Sequence, residues 1–118
     1  MNISIEFNKT PKYLVAKVSG RWLTTDALES IEAIKNEANT QKINHILLDL
    51  QDLSLPDNEM TRFFSGEKIS NAFDYSFKIA AYSQREKINR FAETVAVNRG
   101  ANFKVFDCES DAINWLQS

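Results

Sequence analysis

The most constraining feature of the sequence is a nearly continuous apolar run from Ile43 to Leu50, which reads INHILLDL. A run of this length and composition is typical of a strand that is covered on at least one face. Pro56 and Asp57 follow it. Proline suits the start of a helix, and an aspartate there can accept hydrogen bonds from the free N–H groups of the first turn. The stretch therefore predicts a buried strand that is followed by a helix.

Strand and helix patterns alternate along the rest of the chain. Period-two or apolar stretches predict strands, and apolar residues at helical spacing predict helices. The strands are expected at 3–7, 13–18, 43–50, 77–82 and 103–106, and the helices at 24–39, from 56 to about 73, from 83 to about 99 and at 109–116. The order β-β-α-β-α-β-α-β-α predicts an α/β fold with a five-stranded, mostly parallel sheet and an antiparallel opening hairpin. Right-handed crossovers would place the helices mainly on one face of the sheet. The 118 residues are expected to form one domain.

Local signals also predict how the helices begin and end. Thr25 or Asp26 could cap the first helix. The stretch from Ser83 to Glu86 has the spacing of a capping box, which predicts that the third helix starts there. Gly100 is expected to close the third helix with a positive φ, because glycine adopts that conformation without a steric penalty.

Composition and charge exclude several kinds of partner. The net charge is −2, from 14 basic and 16 acidic residues, which does not favour nucleic acid or an anionic membrane surface. The single cysteine cannot form an internal disulfide, which fits a reducing cytoplasm. The first eight residues have no charged leader before an apolar stretch, and no apolar run is long enough to cross a bilayer. We therefore expect a soluble cytoplasmic protein with no nucleic-acid partner and no stable membrane insertion.

The last third of the chain resembles a known family. Its segments match the C-terminal part of SpoIIAA-like bacterial domains, also described as STAS-like or SEC14-like: Asn98-Arg99-Gly100, Val105-Phe106 and Ala112-Ile113-Asn114-Trp115-Leu116. The element order of the whole chain is similar as well. The resemblance implies a β/α superhelical sheet, shared with anti-sigma-factor antagonists and with lipid-binding CRAL-TRIO domains. It says little about activity, because members of this family are mostly of unknown function.

The same resemblance indicates a candidate site at the junction between the buried strand and the second helix. In the antagonists the chain there reads Asp-Ser-Ser-Gly, and the second serine takes a phosphate. The matching residues here are Asp57, Asn58, Glu59 and Met60, so the aspartate is kept and both serines are absent. We predict a binding site at Asp57, Asn58 and Glu59 that is not controlled by phosphorylation. The alternative is that Asp57 and Glu59 only stabilise the helix N-terminus electrostatically.

No set of residues predicts a catalytic centre or a cofactor. His45 and Cys108 are single residues of their kind, and neither has a sequence neighbour that would make it a nucleophile or a base. Asp49, Asp52 and Asp57 cluster around one strand end and could hold a hard cation, but strand alternation and the following turn could point them apart. The sequence contains no glycine-rich phosphate loop and no paired metal ligands. We therefore expect no enzymatic activity, no metal and no cofactor.

Two functional hypotheses remain open. The first is a protein-interaction module that binds another protein or itself, with Trp22 and Arg21 as candidate contacts and the first strand as a dimer edge. Burial of Trp22 is the alternative for that residue. The second hypothesis is a small-molecule or lipid binder that uses an open sheet face, suggested by eight Phe and three Tyr residues. The basic residues Arg85, Lys87 and Arg90 are interpreted as a solvated helix face.

Overall fold

The computed structural model describes residues 3–56 and 58–118. In these residues the chain forms five strands and four α-helices, with one turn of 3₁₀ helix at Arg85–Lys87. The strands are β1 (Ile3–Lys9), β2 (Leu14–Gly20), β3 (His45–Asp49), β4 (Lys78–Tyr82) and β5 (Asn102–Phe106). The helices are α1 (Thr24–Gln41), α2 (Glu59–Ala72), α3 (Phe91–Asn98) and α4 (Glu109–Leu116). None of these helices is both long enough and apolar enough to cross a membrane.

The five strands form one sheet in the order β1-β2-β3-β4-β5. β1 and β2 pair antiparallel as a hairpin, and all later neighbours pair in parallel. In the register, Leu47 on β3 lies opposite Val15 on one side and Ala80 on the other. The predicted α/β class, the element order and the mostly parallel sheet are therefore confirmed.

The main core lies between one face of the sheet and helices α1, α2 and α3. β3 is buried on both faces, since Ile46, Leu47 and Leu48 are 0%, 2% and 8% exposed. Alternate strand residues point to the three helices and pack against their apolar sides. This core includes Leu14, Ala16, Val18, Ile31, Ile34, Ile46, Leu48, Ile69, Phe73, Ile79, Ala81 and Phe103.

The opposite face of the sheet carries the fourth helix. Leu47, Ala80 and Tyr82 form a second cluster with Ala112 and Leu116 of α4. Three of the four helices thus share one face, as predicted, and α4 lies on the other. The handedness rule does not constrain α4, because it follows the last strand and leads to no further parallel strand.

The rest of this second face is polar. Over β1 and β2 it presents Ser4 and Glu6 opposite Ser19 and Lys17, and Glu6 and Lys17 are exposed. The sequence analysis predicted an open apolar sheet face as the site for a small molecule or lipid. This face is not open and apolar, so the predicted location of the site is wrong. α4 covers the apolar part of the face, and charged side chains occupy much of what is left.

One predicted helix start and one predicted cap are wrong. Ser83 does not cap a helix. Its Oγ donates to the carbonyl of Leu50 at 3.3 Å, and α3 begins eight residues later, at Phe91, after Arg90 with a φ of +62°. α1 begins at Thr24, as predicted, but Leu23 is in the capping position, so Thr25 and Asp26 lie inside the first turn. The hydroxyl of Ser83 forms a hydrogen bond between the ends of two neighbouring strands. A capping pattern, which is local in the sequence, does not reveal this contact.

Gly100 has the predicted positive φ, at +100°. Its N–H donates to the carbonyl of Val97 at 3.0 Å, and the N–H of Ala101 donates to the carbonyl of Ala96 at 3.0 Å. These bonds close α3 and direct the chain into β5. A Cβ added at Gly100 would meet nothing within 4 Å, so only the backbone conformation requires glycine there.

Replacing Gly100 with valine is expected to lower the free energy of unfolding by about 1 kcal/mol or more, because a β-branched residue is strained at positive φ. Urea denaturation followed by circular dichroism measures this change. Gly100→Asn is the matched control. Its free energy of unfolding should fall by less than that of Gly100→Val, since asparagine tolerates a positive φ better than valine does. Equal midpoints for wild type and Gly100→Val would show that the conformation at this position costs nothing.

Candidate functional site

Two loops at one end of the sheet lie side by side. One follows β3 and covers the described residues 50–56 and 58, and the other follows β4 and covers residues 83–90. Lys87 holds them together, because its Nζ donates to the carbonyls of Gln51 at 3.2 Å and Leu53 at 3.1 Å. The carboxyl ends of parallel strands are where open α/β sheets place ligand sites, so this end is the first candidate for function.

The predicted junction lies at this end. Asp57 falls outside the described residues. Asn58 is the N-cap of α2, and its Oδ1 accepts a hydrogen bond from the N–H of Thr61 at 3.1 Å. Glu59 accepts from Nε of Arg62 at 3.0 Å and from Nδ2 of Asn89 at 3.1 Å. Asn58 thus has a structural role, and Glu59 joins α2 to the second loop. A binding role for the junction stays a prediction.

Arg62 is the residue that sequence patterns missed. Its side chain is only 10% exposed, and its guanidinium lies 5.1 Å from the centroid of the Trp22 ring. NH2 also donates to the carbonyl of Lys87 at 3.2 Å. Burial lowers the pKa of Arg62, and the neighbouring Glu59 carboxylate opposes that effect. The group stays protonated at neutral pH. A buried cation therefore connects α2, the second loop and the indole.

Trp22 and Arg21 have different environments, although they are adjacent in the sequence. The Trp22 indole Nε1 donates to Oγ of Ser65 at 3.0 Å, and its backbone N–H donates to Oγ of Ser54 at 3.2 Å. The ring is half-buried against α2, which agrees with the alternative of burial. Arg21 is exposed. As a candidate partner contact, Arg21 stays a prediction.

A cavity of about 110 Å³ lies between the sheet and helices α1, α2 and α3. Its wall is mostly apolar and includes Val18, Trp22, Ala27, Ile31, Ile34, Leu48, Ile69, Ile88, Phe103 and Val105. Exposed residues of the two loops, among them Leu55, Asn89 and Arg90, also line it, so the cavity opens at the carboxyl ends of the strands.

The polar groups in the cavity wall have partners inside the protein. Ser30 donates to the carbonyl of Ala27 at 2.8 Å, and Ser65 donates to the carbonyl of Thr61 at 2.7 Å. Within the described residues, no buried side-chain nitrogen or oxygen lacks a hydrogen-bond partner. The cavity therefore offers an apolar interior without unsatisfied polar groups.

A second feature lies outside, on α2 and α3. Met60, Phe63, Phe64 and Phe91 form a surface that we call the α2 patch. Met60, Phe64 and Phe91 are 53%, 36% and 38% exposed. The ring centroids of Phe63 and Phe64 are 5.6 Å apart, and those of Phe63 and Phe91 are 6.4 Å apart. Met60 shares one side of the helix with both phenylalanines, since residues three and four apart are neighbours.

Close packing of α2 on α3 brings the two helices' aromatic residues together. A Cβ added at Gly66 would lie 2.5 Å from the carbonyl oxygen of Ala92, which is shorter than real contacts allow. Only glycine permits the helices to approach this closely. The approach places Phe91 against Phe63 and so builds the α2 patch.

The residues considered for chemistry have other partners. Asp49 accepts from the N–H of Gln51 at 3.1 Å, and Asp52 forms an ion pair with Lys17 at 3.6 Å. His45 Nδ1 lies 2.9 Å from Oδ1 of Asn44. Among the described residues, the one group with metal-ligand spacing is Asp107, Cys108 and Asp111, and it lies after β5 instead of after β3.

Solved structures resemble the chain over nearly its whole length. An anti-sigma factor antagonist from Mycobacterium paratuberculosis matches with a TM-score of 0.68 and 10% identity, over 98% of this chain and 95% of that one. An uncharacterized protein from the DUF3478 family, from Shewanella loihica PV-4, matches with a TM-score of 0.61 and 22% identity, over 98% and 94%. That protein is described as having a SpoIIAA-like fold. This chain has the SpoIIAA-like fold.

The anti-sigma factor antagonist SpoIIAA in its unphosphorylated form also matches, with a TM-score of 0.52 and 15% identity, over 98% of this chain and 99% of that one. No protein-family model matches the sequence, and no curated protein matches it. The fold predicted from the C-terminal resemblance is therefore confirmed. At these identities the likeness shows the SpoIIAA-like fold and not the function.

Proposed function

We propose that this protein is a cytoplasmic, non-enzymatic regulatory module that works by binding another protein through the α2 patch. The observation that carries the proposal is the exposed aromatic surface of Met60, Phe63, Phe64 and Phe91. Contiguous apolar patches on a protein surface often mark interaction sites, and aromatic residues are enriched at interaction hot spots. Two structural neighbours are named as anti-sigma factor antagonists, which supports a protein partner.

The charges beside the α2 patch are of both signs and are paired inside the protein. Glu59, with a side chain 60% exposed, bonds Arg62. Arg99 lies 5.7 Å from the centroid of the Phe63 ring and pairs with Glu67. The patch is therefore an apolar surface with a border of mixed charge, which suits a partner that presents apolar side chains. The names of the two structural neighbours favour a different protein over a second copy of this chain.

Phe64→Glu is expected to abolish capture of the partner, because it places a charge in the centre of the patch. The partner is first identified by affinity purification from the native cells and mass spectrometry, and its affinity is then measured with purified proteins by calorimetry. We expect the dissociation constant to rise at least tenfold, a typical effect at a hot spot. Tyr75→Glu is the matched control, since Tyr75 is 69% exposed in the loop at the far end of α2. Equal affinity for wild type and Phe64→Glu would refute the docking surface.

We further infer that phosphorylation does not control the junction. Residues 57–59 contain no hydroxyl, and the nearby Thr61 is 0% exposed. Ser54 is exposed, but its Oγ already accepts from the N–H of Trp22 and donates to the carbonyl of Leu55. Phosphopeptide mapping from native cells should find no stoichiometric phosphate on Ser54 or Thr61. A stoichiometric phosphate at either position that changes partner binding would overturn this inference.

A homodimer through the first strand is the second candidate interaction. β1 is an edge strand of the described sheet, and its seven residues pair only with β2. An unpaired strand edge favours self-association, and a two-fold arrangement is the commonest solution. Sedimentation equilibrium at micromolar concentration should give a mass that approaches twice 13.5 kDa. A monomer mass that does not change with concentration would rule out this dimer and leave the α2 patch proposal intact.

A further inference from the structure

The cavity under helices α1, α2 and α3 suits a ligand with an apolar body. Its inner wall is made by buried side chains such as Val18, Ile31, Leu48 and Ile69, and its serines are engaged inside the protein. An apolar molecule would lose no hydrogen bonds there, whereas a polar one would give up its contacts with water without replacement. Cavities with apolar walls accept apolar guests.

The size of the cavity limits that body to a few carbon atoms. The volume is about 110 Å³. A dry cavity of about 150 Å³ is known to hold one benzene molecule. The cavity here is smaller but open at its mouth, so it takes a short aliphatic chain or most of a single aromatic ring, and a long acyl chain would not fit inside it.

The mouth of the cavity favours a negative charge. Arg62, Lys87 and Arg90 line it, against the single acid Glu93. Arg62 is paired with Glu59, and Arg90 is paired with Glu93 at 3.1 Å. Lys87 differs, because its Nζ donates to two backbone carbonyls and takes part in none of the ion pairs between described residues. Among the residues that the structure describes, no carboxylate forms an ion pair with this cation at the opening.

We propose that the cavity binds a small apolar monocarboxylate, with its ring or short chain inside and its carboxylate at Lys87. The site lies at the carboxyl ends of β3 and β4, the usual position for ligands in open α/β sheets. It is separate from the α2 patch and goes beyond the proposed protein-binding role. A carboxylate at Lys87 would add a charge-assisted hydrogen bond to those that Nζ already makes.

The test uses the full chain and the probe phenylacetate, with phenylacetamide as its uncharged equivalent. Both are titrated into isotope-labelled protein and followed by two-dimensional NMR. Phenylacetate should give saturable shifts that are largest for the methyl groups of Ile31, Leu48 and Ile69. Phenylacetamide should shift the same methyl groups and bind at least tenfold more weakly. Shifts that do not saturate, or that map elsewhere on the wild-type protein, would overturn the proposal.

Three variants separate the two parts of the site. Lys87→Gln removes the charge and also the two loop contacts of Nζ, and both probes share the second effect, so the variant should weaken phenylacetate about tenfold more than it weakens phenylacetamide. Ala27→Leu puts a larger side chain into the cavity wall and should abolish binding of both probes. Lys104→Gln is the control, since Lys104 is exposed on the face that carries α4 and should have no effect. If Lys87→Gln weakens both probes equally, the carboxylate contact is wrong, and if Ala27→Leu binds as wild type does, the cavity is not the site.

Discussion

Burial of β3 on both faces is the constraint on which the rest of the structure depends. Ile46 and Leu48 point to one side of the sheet, and Leu47 points to the other. A strand that is apolar on both sides needs two layers of cover. Helices α1 to α3 supply one layer, and α4 supplies the other with Ala112 and Leu116. The short C-terminal helix is therefore part of the core and closes the face that the crossover helices leave open.

The end of the molecule where β3 and β4 finish is organised around a buried charge. Arg62 lies against the Trp22 ring and bonds both Glu59 and the carbonyl of Lys87. An uncompensated charge at this depth would be costly, so each of these contacts is needed. The same side chain stands between the α2 patch, which begins beside Glu59, and the mouth of the cavity, which Lys87 lines.

The structure also changes the physical basis of the small-molecule hypothesis. The eight phenylalanines that helped to suggest an open apolar sheet face are distributed over three places. Phe7, Phe73, Phe77 and Phe103 belong to the main core or pack against it, and Phe106 packs on the ring of Trp115 beside α4. Phe63, Phe64 and Phe91 build the α2 patch. The apolar space that remains lies under the helices, at the end of the sheet where the two loops meet.

The sequence by itself determined the order of the strands and helices, the sheet class and the conformation at Gly100. Apolar periodicity, and a glycine at a helix end, are local properties of the chain. Only the tertiary structure decided the roles of Ser83 and Arg62. Ser83 has a capping-box spacing but bonds Leu50, 33 residues away, and Arg62 is buried by Trp22, 40 residues away. Such contacts join distant segments, so the cavity that they shape leaves no pattern in any short stretch of sequence. The spacing of Met60, Phe63 and Phe64 is visible in the sequence, but only the packing of the helices decides that Met60 and Phe64 are exposed.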